Sequence, residues 1–158
     1  MQEIVTRISQ AANVVKIKPT ITSTPYSAGD SYGGIQKIAN ALAPRGSGQL
    51  HSLCILDKQK QKPALDIFIF ESNPAAATAG DNAAFAFSTD DLKVIGRISV
   101  ATGDWIEVNN EAICQKSGLD IQVQSSDGSF DYYAVAVTSS TPTQAANGVQ
   151  FIWGTVSS

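Results

Sequence analysis

The sequence predicts an all-β fold, a single-domain antiparallel β-sandwich. Three observations carry that expectation. Short runs of β-branched and aromatic residues recur along the chain, and such runs read as strands. Clusters of Gly, Pro, Ser, Asn and Asp punctuate them. No stretch has the sustained 3.6-residue periodicity of a long amphipathic helix. About eight or nine strands at this spacing imply a sandwich or barrel, and a jelly-roll-like arrangement is the preferred member of that set.

The elements follow in chain order. Residues 1–12 precede the first well-marked strand and read as an N-terminal arm, leaving 13–158 as the sandwich domain. In the arm, Met1, Ile4, Val5 and Ile8 fall at helical spacing, although an extended segment accommodates them equally well. "NVVKIKPTI" is a strand signal, with Pro19 marking an edge or an end. "STPYSAGDSYGG" is turn chemistry. "IQKIANAL" fits a strand or a helical turn, and "APRGSGQ" a loop. "LHSLCILD", the polar "KQKQKP" and "ALDIFIFES" together predict a hairpin. In its second arm Leu65, Ile67 and Ile69 share one face, and Asp66, Phe68 and Phe70 the other. Both faces are apolar at the far end, which predicts a central strand covered on both sides there.

"TAGDNAAFAFSTDDLKVIGRIS", residues 78–99, is the longest interruption between strand-like segments. Ser88 fits a helix N-cap, Asp91 follows three positions later, and Asp90 and Asp91 favour a helix N-terminus, so one short helical turn is expected near residues 88–93. Phe85 and Phe87 precede it, and burying one such ring is worth roughly 1.5–3 kcal/mol. Two anchors of that size predict a pinned clasp rather than a moving lid. Further strands are expected at "KVIGRISV", "DWIEVN", "LDIQVQS", "DYYAVAVT" and "GVQFIWGTV". Asp127-Gly128 in "SSDGSF" is a hairpin signal. In "YYAVAV", Tyr133, Val135 and Val137 form one face. Tyr132, Ala134 and Ala136 form the other, where small side chains permit close approach of a second layer.

Composition narrows the functional classes. With 158 residues the chain suits one domain, and a fold of this size needs no disulfide or metal for stability. Charged residues make up only 16%, against roughly 25% in an average domain. Net charge is −3, which provides no general attraction for nucleic acid. The charge is uneven: residues 1–62 carry eight basic and three acidic side chains, and residues 63–158 three basic and eleven acidic. Interleaving of early and late strands would average this out, whereas segregation would give a two-faced particle. "MQEIVTRISQ" lacks the basic-then-apolar pattern of a signal peptide, and no apolar run approaches the roughly 18 residues of a membrane span. Cys54 and Cys114 are expected as buried, reduced thiols.

No catalytic constellation emerges. His51 is the sole histidine; it adjoins Ser52, and regular strand alternation would point the two to opposite faces. No G-x-S-x-G elbow is present. Cys54 lies among Leu53, Ile55 and Leu56, where burial suppresses thiolate formation. Cys114 has Lys116 nearby but no second histidine as base. One His and two distant Cys make a poor zinc site. "DGSFD" and "NNE" do not match a calcium loop, and no phosphate loop is present. The expectation is a non-enzyme with no cofactor and no metal. Trp105, Trp153, Tyr26, Tyr32, Tyr132 and Tyr133 are the candidates for a sugar-stacking platform. Lys58, Lys60 and Lys62 alternate with Gln, so an extended loop would project all three to one side. They would form a solvated tip or meet an acidic partner surface, but they are too few for a nucleic-acid site.

The segment "ALDIFIFESNPAAATAGDNAAFAFSTDDLKVIGRISV" resembles small tailed-bacteriophage virion proteins with an "LD…F…NP…T…DNAAF…DL…IG" pattern. Here the pattern is carried by Leu65, Asp66, Phe70, Asn73, Pro74, Thr78, Asp81, Asn82, Ala83, Ala84, Phe85, Asp91, Leu92, Ile95 and Gly96. "YSAGDSYGGI" upstream and "YAVAVTSSTPT" downstream fit the same chains. The resemblance implies a β-sandwich virion subunit of the capsid decoration, or cement, type. Such a subunit is made in the host cytoplasm, sits on the head exterior as a homotrimer and clamps neighbouring major capsid subunits. The implied partners are the major capsid protein and further copies of the chain, with no nucleic acid and no membrane. The expected contacts are Ile4, Val5 and Ile8 of the arm, acting by strand addition or apolar anchoring, and Lys58, Lys60 and Lys62. The alternatives are a tail, neck or head-fibre subunit, or a glycan-binding module.

Overall fold

The structure is a computed structural model that describes residues 12–43, 46–74, 79–87 and 93–157. The expected arm with Ile4, Val5 and Ile8, and residues 88–92 of the expected helical turn, lie outside the described residues. Ten strands are described: β1 (Ala12–Ile17), β2 (Ser31–Ile38), β3 (Ser47–Asp57), β4 (Leu65–Phe70), β5 (Val94–Val100), β6 (Trp105–Val108), β7 (Glu111–Lys116), β8 (Ile121–Gln124), β9 (Tyr132–Thr138) and β10 (Val149–Ser157), with a 3-10 turn at Thr102–Asp104. β7 is the strand not separately expected from the sequence.

The strands form two antiparallel sheets. The first runs β1-β10-β3-β7-β6, with β8 also on β3, and the second runs β2-β9-β4-β5. β3 is long enough to serve two neighbours on one side: residues 47–50 pair with β8 and residues 53–57 with β7. The orders β1-β10-β3-β8 and β2-β9-β4-β5 are those of two Greek keys wound together. The sandwich therefore has jelly-roll connectivity, with the β6–β7 hairpin extending one sheet. β1 and β3 interleave with β10, β7 and β8, and β2 lies beside β9, so each sheet mixes both halves of the chain. Topology thus favours averaging of the charge asymmetry.

The core lies between the sheets. Leu50, Leu53, Ile55, Phe151 and Trp153 from one side meet Ile67, Ile69, Tyr132, Ala134 and Ala136 from the other. Two buried polar contacts cross this layer: Trp153 Nε1–H donates to Gln36 Oε1 at 3.1 Å, and Tyr132 and Thr155 hydroxyls share a hydrogen bond of 2.7 Å. Such bonds add only about 1 kcal/mol net each, but leaving a buried partner unpaired costs more. β4 lies between β9 and β5, and its outward Phe70 is buried in a second cluster with Val135 and Ala79, so this strand is covered on both faces at its far end.

Three local expectations are corrected. β3 and β4 do not form a hairpin, because β3 pairs with β10, β7 and β8 while β4 pairs with β9 and β5. "DKQKQKP" is instead a corner between sheets. Asp127-Gly128 makes a real turn, with Gly128 at φ 74° and Ser129 N–H donating to Asp127 Oδ1 at 2.9 Å, but it too joins strands of different sheets. Ser31-Tyr32-Gly33-Gly34 is not a turn but the first half of β2. Its glycines adopt φ of 90° and 69° and accommodate a bulge, across which the register jumps from Ser31↔Val137 to Ile35↔Val135.

Candidate interaction surfaces

The loop of residues 79–87 is held by Asp81. Its carboxylate accepts from Thr22 N–H at 3.0 Å, the Tyr26 hydroxyl at 2.7 Å and Gly33 N–H at 2.8 Å. Burial, together with the Asp81 hydrogen bond and charge, pushes the Tyr26 phenol well above its ordinary pKa. Asn82 adopts φ 55°, and its amide donates to Thr22 Oγ1 and Thr24 O, both at 3.2 Å. The backbone completes the seam: Ser31 N–H donates to Ala83 O at 2.8 Å, and Phe85 N–H to Gly29 O at 2.9 Å. Phe85 stacks on Phe68 with centroids 5.7 Å apart, and Phe87 meets both rings edge-on at 5.1 and 4.9 Å. The described part of the stretch is therefore a clasp across the outer face of the second sheet. Phe87 remains 52% exposed at its margin.

The three corner lysines do not act as one group. Lys60 and Lys62 have φ of 54° and 48°, so the loop is not extended. Buried Asp57 shapes it, accepting from Gln59 N–H and Lys62 N–H, both at 2.9 Å. Lys60 and Lys62 then grip the two oxygens of Glu107 at 2.6 and 2.5 Å. Hydrogen bonds from these two ammonium groups lower the Glu107 pKa to about 2. Lys58 is separate. With Lys18 it borders a surface cavity of about 240 Å³, whose other walls include Leu56, Asn147, Val149 and Gln150. Among the described residues neither Lys18 nor Lys58 meets a carboxylate.

A larger feature went unpredicted. On the outer face of the first sheet, Gln150, Leu56, Ile113 and Ile106 lie in register across β10, β3, β7 and β6. Ile152 and Cys54 form the adjoining row. Val14, Ile106 and Val108 are 65%, 67% and 54% exposed. Ile106 and Val108 adjoin the Leu56–Ile113 row at one edge, whereas Val14 lies at the opposite edge beside Gly154. Adjoining apolar side chains of the first kind mark an interaction site more reliably than scattered single residues do. Its signal in the sequence was the run of apolar residues at successive positions, which puts apolar side chains on both strand faces: Leu53 to Leu56, Phe151 to Trp153, and Trp105-Ile106.

The chemistry candidates are dispersed. β3 bulges where Gly154 pairs with Ser52 and Thr155 with Leu50. Leu50 and Leu53 both point inward, so exposed His51 and half-buried Ser52 share the outward side instead of alternating. No hydrogen bond joins them among the described residues. Both cysteines are free; burial raises the Cys54 thiol pKa and lifts that of Cys114 to about 11. Among the described residues no group of three or more His, Cys, Asp or Glu is placed to hold a metal ion. Of the candidate sugar platform, Trp105, Trp153, Tyr26, Tyr32 and Tyr132 are buried; the Trp105 N–H donates to Pro63 O at 3.0 Å. These rings build the interior, not a platform.

No protein-family model matches the chain, and no curated protein matches it.

Proposed function

We propose that the chain is a structural, non-catalytic subunit of a phage virion, bound to the outside of the head, where as a homo-oligomer it cements neighbouring major capsid subunits. The observation that carries this reading is the apolar outer face of the first sheet, with Val14, Ile106 and Val108 open to solvent. A face of that kind on a compact sandwich suits assembly with other protein surfaces. The phage assignment rests on the resemblance, and its "DNAAF" core, Asp81 to Phe85, includes the residues that build the clasp. A pinned loop loses little conformational freedom on docking, which favours a rigid cementing role. An oligomer engaging several capsid subunits gains avidity of roughly 10²–10⁴ over one contact.

The test is the copy number of the chain in purified virions, relative to the major capsid protein, by quantitative mass spectrometry. A one-to-one ratio, or a simple fraction of it, is expected. A few or a dozen copies would move the chain to the tail or neck. Complete absence would sink the virion reading.

A further inference from the structure

We propose that the cavity between Lys18 and Lys58 receives a carboxylate side chain from a partner protein, presented on an apolar segment that lies along the outer face of the first sheet. The inference deepens the assembly reading and rests on it.

Topology brings the two cations together. β1 and β3 flank β10. Ile17 pairs with Phe151 and Asp57 with Val149, so Lys18 and Lys58 follow on either side of the first residues of β10. Lys58 is anchored there by its N–H, which donates to Gly148 O at 2.8 Å. Two strand spacings separate the backbones, roughly 10 Å. Flexible lysine side chains can converge across that gap on the two oxygens of one carboxylate.

Charge and position together select these two lysines: Lys16 also meets no carboxylate among the described residues, but it does not border the cavity. Glu107 already occupies Lys60 and Lys62, whereas Lys18 and Lys58 meet no carboxylate among the described residues. The amides of Asn147 and Gln150 add neutral donors at the rim, and Leu56 and Val149 supply apolar wall. Leu56 also belongs to the outward row with half-buried Ile113 and exposed Ile106. The cavity is thus the cationic end of an apolar surface, which fits an acid flanked by aliphatic side chains. A nucleic-acid backbone fits poorly, because neither arginine nor an aromatic ring borders the cavity, and those groups dominate strand binding.

Two measurements test this. The first is amide NMR of the full chain titrated with acetyl-Leu-Glu-Leu-amide. Saturable shifts at Lys58, Gly148 and Gln150 are expected, absent with acetyl-Leu-Gln-Leu-amide. Affinity should weaken about fivefold to tenfold in Lys18→Gln/Lys58→Gln and hold in Lys60→Gln, since a charge-assisted contact is lost only in the former. Equal response to both peptides, no saturable shift, or the same shifts with inorganic phosphate would overturn the carboxylate assignment. The second is virion occupancy of Lys18→Glu/Lys58→Glu. Occupancy well below wild type, with unchanged thermal stability, supports the inference. Occupancy equal to wild type overturns it and leaves the assembly reading standing. Absence of the wild-type chain from virions overturns the assembly reading itself, and with it the inference.

Discussion

Tyr26 donates its hydroxyl hydrogen to Asp81 at 2.7 Å, joining residues 55 positions apart. The bond ties the loop before β2 to the loop after β4, and Thr22 and Gly33 converge on the same carboxylate. Asp81→Ala would remove the shared acceptor of three donors, of which only Thr22 N–H keeps a second contact, to the Tyr26 hydroxyl at 3.3 Å. Each lost partner costs about 1–3 kcal/mol when buried and less where water can enter. A destabilisation of about 2–4 kcal/mol is therefore expected by urea unfolding. A change below about 0.5 kcal/mol, the scatter of ordinary surface substitutions, would remove the clasp from the stability account.

Gly33 sets a second test. A Cβ built there would lie 2.6 Å from Pro19 Cβ, on a backbone with φ 90°. Gly33→Ala combines that clash with a strained backbone and should cost more than about 2 kcal/mol. Gly103, where an added Cβ meets nothing within 4 Å, is the control. Its alanine variant should melt within a few degrees of wild type, and equal losses at both positions would contradict the packing described for β2.

Glu107 predicts an acid-sensitive contribution. Its pKa falls from 4.5 to about 2 through the hydrogen bonds from Lys60 and Lys62. A carboxylate with a depressed folded-state pKa stabilises the fold above its unfolded value and loses that contribution as pH falls through the folded value. The window here runs from about 4.5 down to about 2. Wild type minus Glu107→Gln stability, measured by urea unfolding at several pH values, should shrink across that window and shrink further in high salt, because the pair is exposed. A difference independent of both pH and salt would deny the ion pairs any energetic role.

The apolar face makes an opposite kind of prediction. Ile106→Ser and Val108→Ser remove exposed side chains, so thermal stability should stay within about 0.5 kcal/mol of wild type. Self-association by sedimentation velocity, or virion occupancy, should fall. Loss of stability without loss of assembly would assign these residues to the fold instead.

Much of the local structure was legible in the residues themselves. Leu65, Ile67 and Ile69 alternate with Asp66, Phe68 and Phe70, and Tyr132, Ala134 and Ala136 with Tyr133, Val135 and Val137, because a strand's two-residue period is written directly in the chain. Of the two rings expected to anchor the clasp, Phe85 is half-buried against Phe68, whereas Phe87 packs edge-on at the margin and stays 52% exposed. Sheet membership was not. Turn chemistry in "DKQKQKP" and "SSDGSF" reports a reversal but not whether the next strand pairs with the last or crosses to the opposite sheet. That choice follows from how both apolar faces of each strand are buried at once. The lysines show the same limit. Their spacing was visible, but Glu107 engages Lys62 from 45 positions away and Lys18 reaches the cavity from another strand. Which segments extend and which faces are apolar depends on neighbours in the chain, and is therefore written there. Which charges meet and which apolar face stays open depends on residues that folding alone brings together.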